Sequence, residues 1–134
     1  MLKGESTIRV RYGETDQMGV VNNANYPSYY EIGRTELLRE YGISYKQIEE
    51  KGCMLPLVDL YVKYHKPAFY DDVLTISTSI KEMPSSKIRF DYRIYNQEGT
   101  LINEGYTNLA FLNSGTRRPV RIPDFLKELL SPHF

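Results

Sequence analysis

The chain has no tryptophan, a single cysteine, two histidines and no net charge: 17 Lys and Arg balance 17 Asp and Glu over 134 residues. Each shortage excludes something. The lone Cys53 rules out an intrachain disulfide and fits a reducing compartment. A zero balance argues against a nucleic-acid duplex as partner, because phosphate neutralisation favours a basic excess. No window holds the ~20 apolar residues that a spanning helix needs. The first stretch, MLKGESTIRV, lacks the apolar core of a secretory signal. The expectation is a soluble cytoplasmic protein with no membrane span.

The same poverty narrows the chemistry. His65 and His133 are the only imidazoles, and no G-x-S-x-G elbow accompanies them, which disfavours a Ser-His-Asp hydrolase. H-E-x-x-H, C-x-x-C and the phosphate-binding G-x-x-x-x-G-K-[ST] loop are missing. No metal and no cofactor is expected. Acid chemistry remains.

What is present in excess is tyrosine: twelve, beside five Phe. Tyrosine pairs a large apolar face with a hydroxyl, which suits half-buried strands and interfaces. The length suits one domain spanning residues 1–134. Thr7 to Tyr12 alternates with Ile8, Val10 and Tyr12 on one face and predicts a strand. Asn25 can cap a helix with Pro27 in its first turn. Tyr26, Tyr30, Gly33, Leu37 and Tyr41 recur at helical spacing, with Glu31, Arg34, Thr35, Arg39 and Glu40 opposite, and Gly42 as a stop. Gly33 costs the helix ~1 kcal/mol against Ala, tolerable where a helix must lie close to a sheet. Ser44 to Lys51 predicts a short helix ending at Gly52. Alternation then predicts strands over 58–65, 74–80, 88–95 and 101–113, with a turn at Asn96 to Gly99. Asp124 to Leu130 predicts a last helix. One strand, one long helix and four further strands make an α+β pattern, without the repeated βαβ of a parallel sheet.

The most informative run is Tyr12 to Tyr30, YGETDQMGVVNNANYPSYY. It sets an acid, Asp16, before a short loop with Gly19 that turns into the long helix. A carboxylate facing a helix start is a compact device. The carboxylate can attack or activate water, and unpaired backbone N–H groups can hold an oxyanion. The bland alternative is a turn-capping aspartate.

The residues from Tyr12 to Val21, then Asn25-Tyr26, Glu31 and Arg34-Thr35-Glu36, resemble the 4-hydroxybenzoyl-CoA thioesterase family of hotdog-fold acyl-CoA thioesterases. Tyr64 to Ala68 with Asp71, Asp72 and Leu74 is similar to a second block of that family, and Gly105, Thr107, Ala110-Phe111 and Arg118 to Pro123 to its closing strand and tail. The resemblance implies a five-stranded antiparallel sheet wrapped around a long helix, a homodimer or homotetramer, and hydrolysis of a CoA thioester carrying an apolar acyl or aryl-acyl group. It implies Asp16 as nucleophile or general base. Many relatives carry His where this chain has Asn23, so the resemblance leaves Asn23 the role of a backbone N–H donor, with a side-chain hydrogen bond to substrate open to it; a plain loop asparagine is the alternative. Gly19 serves the loop backbone, and Tyr12 looks like a pocket tyrosine, with a core strand aromatic as the alternative. Val21, Asn22 and Tyr26 flank the loop as candidate substrate contacts. CoA phosphates need cations: Lys63, Lys66, Lys87 and Arg89 are candidates, with Arg117 and Arg118 behind them. Met18, Val20, Val21, Met54 and Leu55 can line an acyl tunnel, core packing being the default for such residues. The other functions open on this scaffold are an acyl-acyl-carrier-protein thioesterase, a non-hydrolytic acyl-CoA-binding dimer and, last, a dehydratase, for which the Asp16 block lacks a histidine.

Overall fold

The computed structural model describes residues 1–134. Strand β1 runs Leu2–Arg9 and is followed by a 3-10 turn at Tyr12–Glu14, a loop, and a second 3-10 turn at Asn23–Asn25 that feeds helix α1, Tyr26–Glu40. Helix α2 is Tyr45–Glu50. Then come β2 (Cys53–Met54), β3 (Leu57–Tyr64), β4 (Val73–Ile80), β5 (Lys87–Tyr95), β6 (Leu101–Asn113) and β7 (Pro119–Val120), and helix α3, Asp124–Leu130, near the C-terminus. The fold is α+β, of the hotdog kind. Five antiparallel strands lie in the order β1-β4-β5-β6-β3, and the two-residue β2 and β7 extend the pairing of β6 at its far end.

Why α1 sits inside the sheet is visible at Gly33. A Cβ built there would lie 2.4 Å from Thr78 Oγ1 and 2.9 Å from Ile76 Cγ2. Only glycine lets the helix axis approach β4 this closely, so the helical cost of Gly33 is offset by packing. Alternate residues of β4 (Leu74, Ile76, Ile80) and β5 (Ile88, Phe90, Tyr92, Ile94) are buried on that side, and the Tyr30 ring stacks on Tyr92 at 4.2 Å. At ~25 cal/mol per Å² of apolar surface removed from water, these side chains supply most of the stabilisation.

The core is threaded with polar groups. Tyr30 OH donates to Asn103 Oδ1 at 2.8 Å, and Tyr92 and Thr107 share a 2.6 Å hydrogen bond. Arg34, expected on the polar side of α1, is half-buried and donates Nε to Tyr45 OH at 3.0 Å. Burial alone would lower its pKa; the Tyr45 and Tyr92 hydroxyls outweigh burial and raise it. Burial pushes Tyr92 up to about 12. Thr78 Oγ1 and Asn103 Nδ2 are buried with no partner.

Three expectations change. The first strand ends at Arg9 and begins at Leu2; Gly4 and Ser6 on its inward side hid it from hydrophobic periodicity. Tyr12 is not a core strand residue: it lies in the 3-10 turn and is 77% exposed. β6 lies inside the sheet, paired with β5 on one side and with β3 and β2 on the other. β1 is one edge of the sheet and β3 is the other. On β3 the expected half-burial fails, because Leu57, Val58, Leu60, Tyr61 and Tyr64 are all exposed in the single chain.

Candidate active site

Asp16 opens a four-residue turn. Its N–H donates to Val20 C=O at 2.9 Å, and its C=O accepts Gly19 N–H at 3.0 Å. Gly19 adopts φ +78°, a conformation that a side chain would strain, so glycine is needed by the turn itself. Short pairings hold the loop on both sides: Thr15 with Val21, and Val20 with Phe69. Val21 N–H donates to Ala68 C=O at 2.8 Å.

One carboxylate oxygen of Asp16, Oδ1, accepts the Met18 N–H at 2.8 Å. This is the turn-capping bond of the bland alternative, and it is real. It also fixes the carboxylate orientation and leaves Oδ2 unpaired. Asp16 lines an open hollow of about 400 Å³ with Tyr12, Gly13, Thr15 and Gln17. Tyr12 thus stands beside Asp16, its ring edge-on to Tyr70 at 5.6 Å; its hydroxyl makes no hydrogen bond.

The 3-10 turn after the loop is capped by Asn22, whose Oδ1 accepts Ala24 N–H at 3.0 Å, and Asn22 C=O accepts Asn25 N–H at 2.9 Å. Asn23 is the first residue of that turn, where geometry provides no intrahelical acceptor, and its N–H is left unpaired. Asn25, expected to cap α1 with its side chain, donates Nδ2 to Glu14 C=O at 2.8 Å instead. Glu14 is the residue that sequence reasoning missed. Its carboxylate accepts from Arg11 and from Tyr29 OH. Burial pushes the Glu14 carboxyl up, but the bonds from Arg11 and Tyr29 outweigh it, so it titrates below the ordinary glutamate value. Tyr29 is raised, by burial first and then by its bond to Glu14.

The other candidates scatter. Tyr26 is buried, its ring edge-on to Tyr29 and Tyr64 at 5.7 and 5.5 Å, and Val21 is buried in the core. Lys63 and Arg89 line a larger concavity of about 670 Å³ on the sheet face away from α1, together with Lys3, Lys81 and Arg93. Arg89 is engaged there, 3.1 Å from Asp91 and 4.0 Å over the Tyr106 ring. Lys66 is exposed just past β3, its N–H on Ile102 C=O. Lys87 starts β5 opposite Ala110; Arg117 and Arg118 follow β6. Met54 pairs with Leu112, whereas Lys66 meets Ile102. Ten residues of strand separate those levels, about 30 Å, so Met54 and Leu55 do not join Met18, Val20 and Val21 in one tunnel within the chain.

The family model of the thioesterase-like superfamily matches residues 10–130, a span that holds the acid loop, the helix and β2 to β7. The chain belongs to that superfamily, and it is a thioester hydrolase. YneP of Bacillus subtilis is 36% identical over 114 residues, covering 85% of this chain and 83% of its own. The acyl-CoA thioester hydrolase YbgC of Escherichia coli is 34% identical over 116 residues, covering 87% of each chain. The crystal structure of DHNA-CoA thioesterase from Staphylococcus aureus superposes with a TM-score of 0.91 at 31% identity, over 99% of this chain and 91% of that one. No helix is long and apolar enough to cross a membrane.

Proposed function

We propose that the chain hydrolyses acyl-CoA thioesters at Asp16, with the Asn23 N–H as an oxyanion donor. The observation that carries this is the pairing of an oriented carboxylate that keeps one oxygen free with an N–H that has no acceptor, at the two ends of one loop. The thioester carbonyl enters the hollow beside Tyr12. Asp16 Oδ2 attacks the carbonyl carbon, or takes a proton from a water that attacks it; charge gathers on the carbonyl oxygen, which the Asn23 N–H receives. Collapse breaks the C–S bond and releases the CoA thiolate. In the nucleophilic course the aspartyl anhydride left behind is then opened by water. In ¹⁸O-water, label entering the Asp16 side chain in a single turnover marks the nucleophilic course, since it arises only when water opens the anhydride at the Asp16 carbonyl; attack of water at the acyl carbonyl, in either course, puts the label in the product acid.

The working unit we propose is a homodimer joined along β3. That strand offers unpaired backbone and the exposed side chains of Leu57, Val58, Leu60, Tyr61 and Tyr64. Such an edge is an open template for pairing. Antiparallel pairing through a two-fold axis reverses the strand direction, so the Lys87 end of one copy meets the Asp16 end of the other. Lys87 itself is drawn to the tail segment: its C=O accepts Ser85 N–H, and Ser85 C=O accepts Ile122 N–H at 2.7 Å. These backbone bonds hold the turn before β5 against the tail segment that carries Arg121, which supports reading Lys87 and Arg121 as the cations for the CoA phosphates.

A thiol-release assay over a panel of acyl-CoAs, with Asp16→Asn beside the wild type, tests the function. Loss of the reactive group lowers kcat by roughly 10²-fold or more. A folded Asp16→Asn variant with wild-type turnover overturns the assignment.

A further inference from the structure

Both groups of the proposed mechanism sit on irregular backbone, where the Thr15–Val21 and Val20–Phe69 pairings and the Val21 N–H bond to Ala68 C=O hold the loop between them. One residue outside that loop ties its two ends together. Glu14 is bonded to each segment involved. Its carboxylate accepts the Arg11 N–H at 2.8 Å, Arg11 Nη2 at 3.0 Å and the Tyr29 hydroxyl at 3.0 Å. Its backbone carbonyl oxygen accepts Asn22 N–H at 2.9 Å and Asn25 Nδ2 at 2.8 Å. These bonds bracket the site: Asp16 lies two residues beyond Glu14, and Asn23 lies between Asn22 and Asn25.

Tyr29 makes the anchor rigid. It belongs to α1, its ring is 1% exposed, and it packs edge-on against Tyr26 at 5.7 Å. The Glu14 side chain is only 14% exposed. A carboxylate is costly to bury, and here charge-assisted bonds offset the cost. A surface ion pair with Arg11 alone would not need the tyrosine.

We propose that Glu14, held by the Tyr29 hydroxyl, is a positioning residue that fixes the separation between the Asp16 carboxylate and the Asn23 N–H without touching substrate. This rests on the catalytic reading above. Misplacement of reacting groups by about 1 Å costs on the order of 10²-fold in rate, and it acts on the transition state more than on ground-state binding.

The test is steady-state thiol release by Tyr29→Phe and Glu14→Gln, alone and in an Asp16→Asn background, with thermal unfolding of each. Expected is a fall in kcat of about tenfold or more with KM within about twofold. Since positioning acts through Asp16, neither substitution lowers the residual rate of Asp16→Asn any further. Tyr29→Phe deletes one hydroxyl and keeps the ring, so it carries the test if Glu14→Gln does not fold. Wild-type kcat in folded Tyr29→Phe, beside an inactive Asp16→Asn, overturns the positioning role and leaves the catalytic reading intact. Equal fold losses in the wild-type and Asp16→Asn backgrounds, in step with lost thermal stability, mean a structural role only and also overturn it. Wild-type turnover in Asp16→Asn overturns the catalytic reading, and this proposal with it.

Discussion

Replacing Asn23 by proline separates the backbone of that residue from everything else it does. Asn22, which would precede the proline, has φ −63° and ψ 136°, inside the extended range that a following proline demands. Asn23 begins a 3-10 turn, where φ is about −60°, within the range that the proline ring enforces. Its side chain is exposed and makes no hydrogen bond, and its N–H has no acceptor within the protein. The only intramolecular role left is its C=O, which accepts Tyr26 N–H and which proline retains. Folding therefore loses nothing by the change and gains about 0.4–1 kcal/mol from a stiffer unfolded state. Catalysis loses an oxyanion donor, worth about 2.7–4 kcal/mol or 10²–10³ in kcat. Stability and turnover move in opposite directions, which few substitutions do. Thermal unfolding and thiol release on the same preparation read both. Asn23→Ala, which keeps the N–H, stays within a fewfold of wild type. If folded Asn23→Pro turns over acyl-CoA at the wild-type rate, the donor lies elsewhere and the placement of the carbonyl oxygen is wrong.

Gly33→Ala destabilises the fold: the ~1 kcal/mol gained in helix propensity is exceeded by the about 1–3 kcal/mol of overpacking that a Cβ 2.4 Å from Thr78 Oγ1 imposes, and denaturant unfolding measures the difference. Thr78→Val, which replaces a buried hydroxyl without a partner by a methyl of the same shape, is neutral or stabilising in the same assay. Acid stability follows Glu14. Its carboxyl titrates below the ordinary 4.5 in the folded protein, so its contribution is complete above that pH and is lost as pH falls through the folded value. Glu14→Gln accordingly flattens the acid side of the plot of Tm against pH. Sedimentation of the wild type is expected to give a dimer of two 15.6 kDa chains, and Val58→Lys with Leu60→Lys on the β3 edge to shift it to monomer; a wild-type monomer at micromolar concentration refutes the β3 interface.

Much of this molecule is legible residue by residue, where the forces are local. Gly42 stops α1 with φ +102°, and Gly99 closes the β5–β6 turn with φ +79°, each at a place that composition marks. Ser44 and Gln47 cap α2 reciprocally, as their spacing says. The long alternations over β4, β5 and β6 are strands because one face of each is buried. The acid loop is legible for the same reason: Asp16, Gly19 and the turn at Asn23 interact within a few residues of one another. What depends on distant segments is not legible. The first half of β1 was hidden because Gly4 and Ser6, half-buried on its inward side with Gly4 against Leu37 and Glu40 of α1, carry no hydrophobic signal of their own. Tyr12 drops out of the strand pattern because, just past the end of the β1–β4 ladder, the chain enters the 3-10 turn Tyr12–Glu14. That β1 and β3 are the edges of the sheet, with β6 inside it, is a matter of strand order, which no alternation encodes. Arg34 and Glu14 read as surface charges, since a sequence carries no sign that a tyrosine hydroxyl from another segment waits to receive one and donate to the other. Local bonds write themselves into composition; the burial of a charge, and the bonds that make it tolerable, exist only once α1 has docked against the sheet.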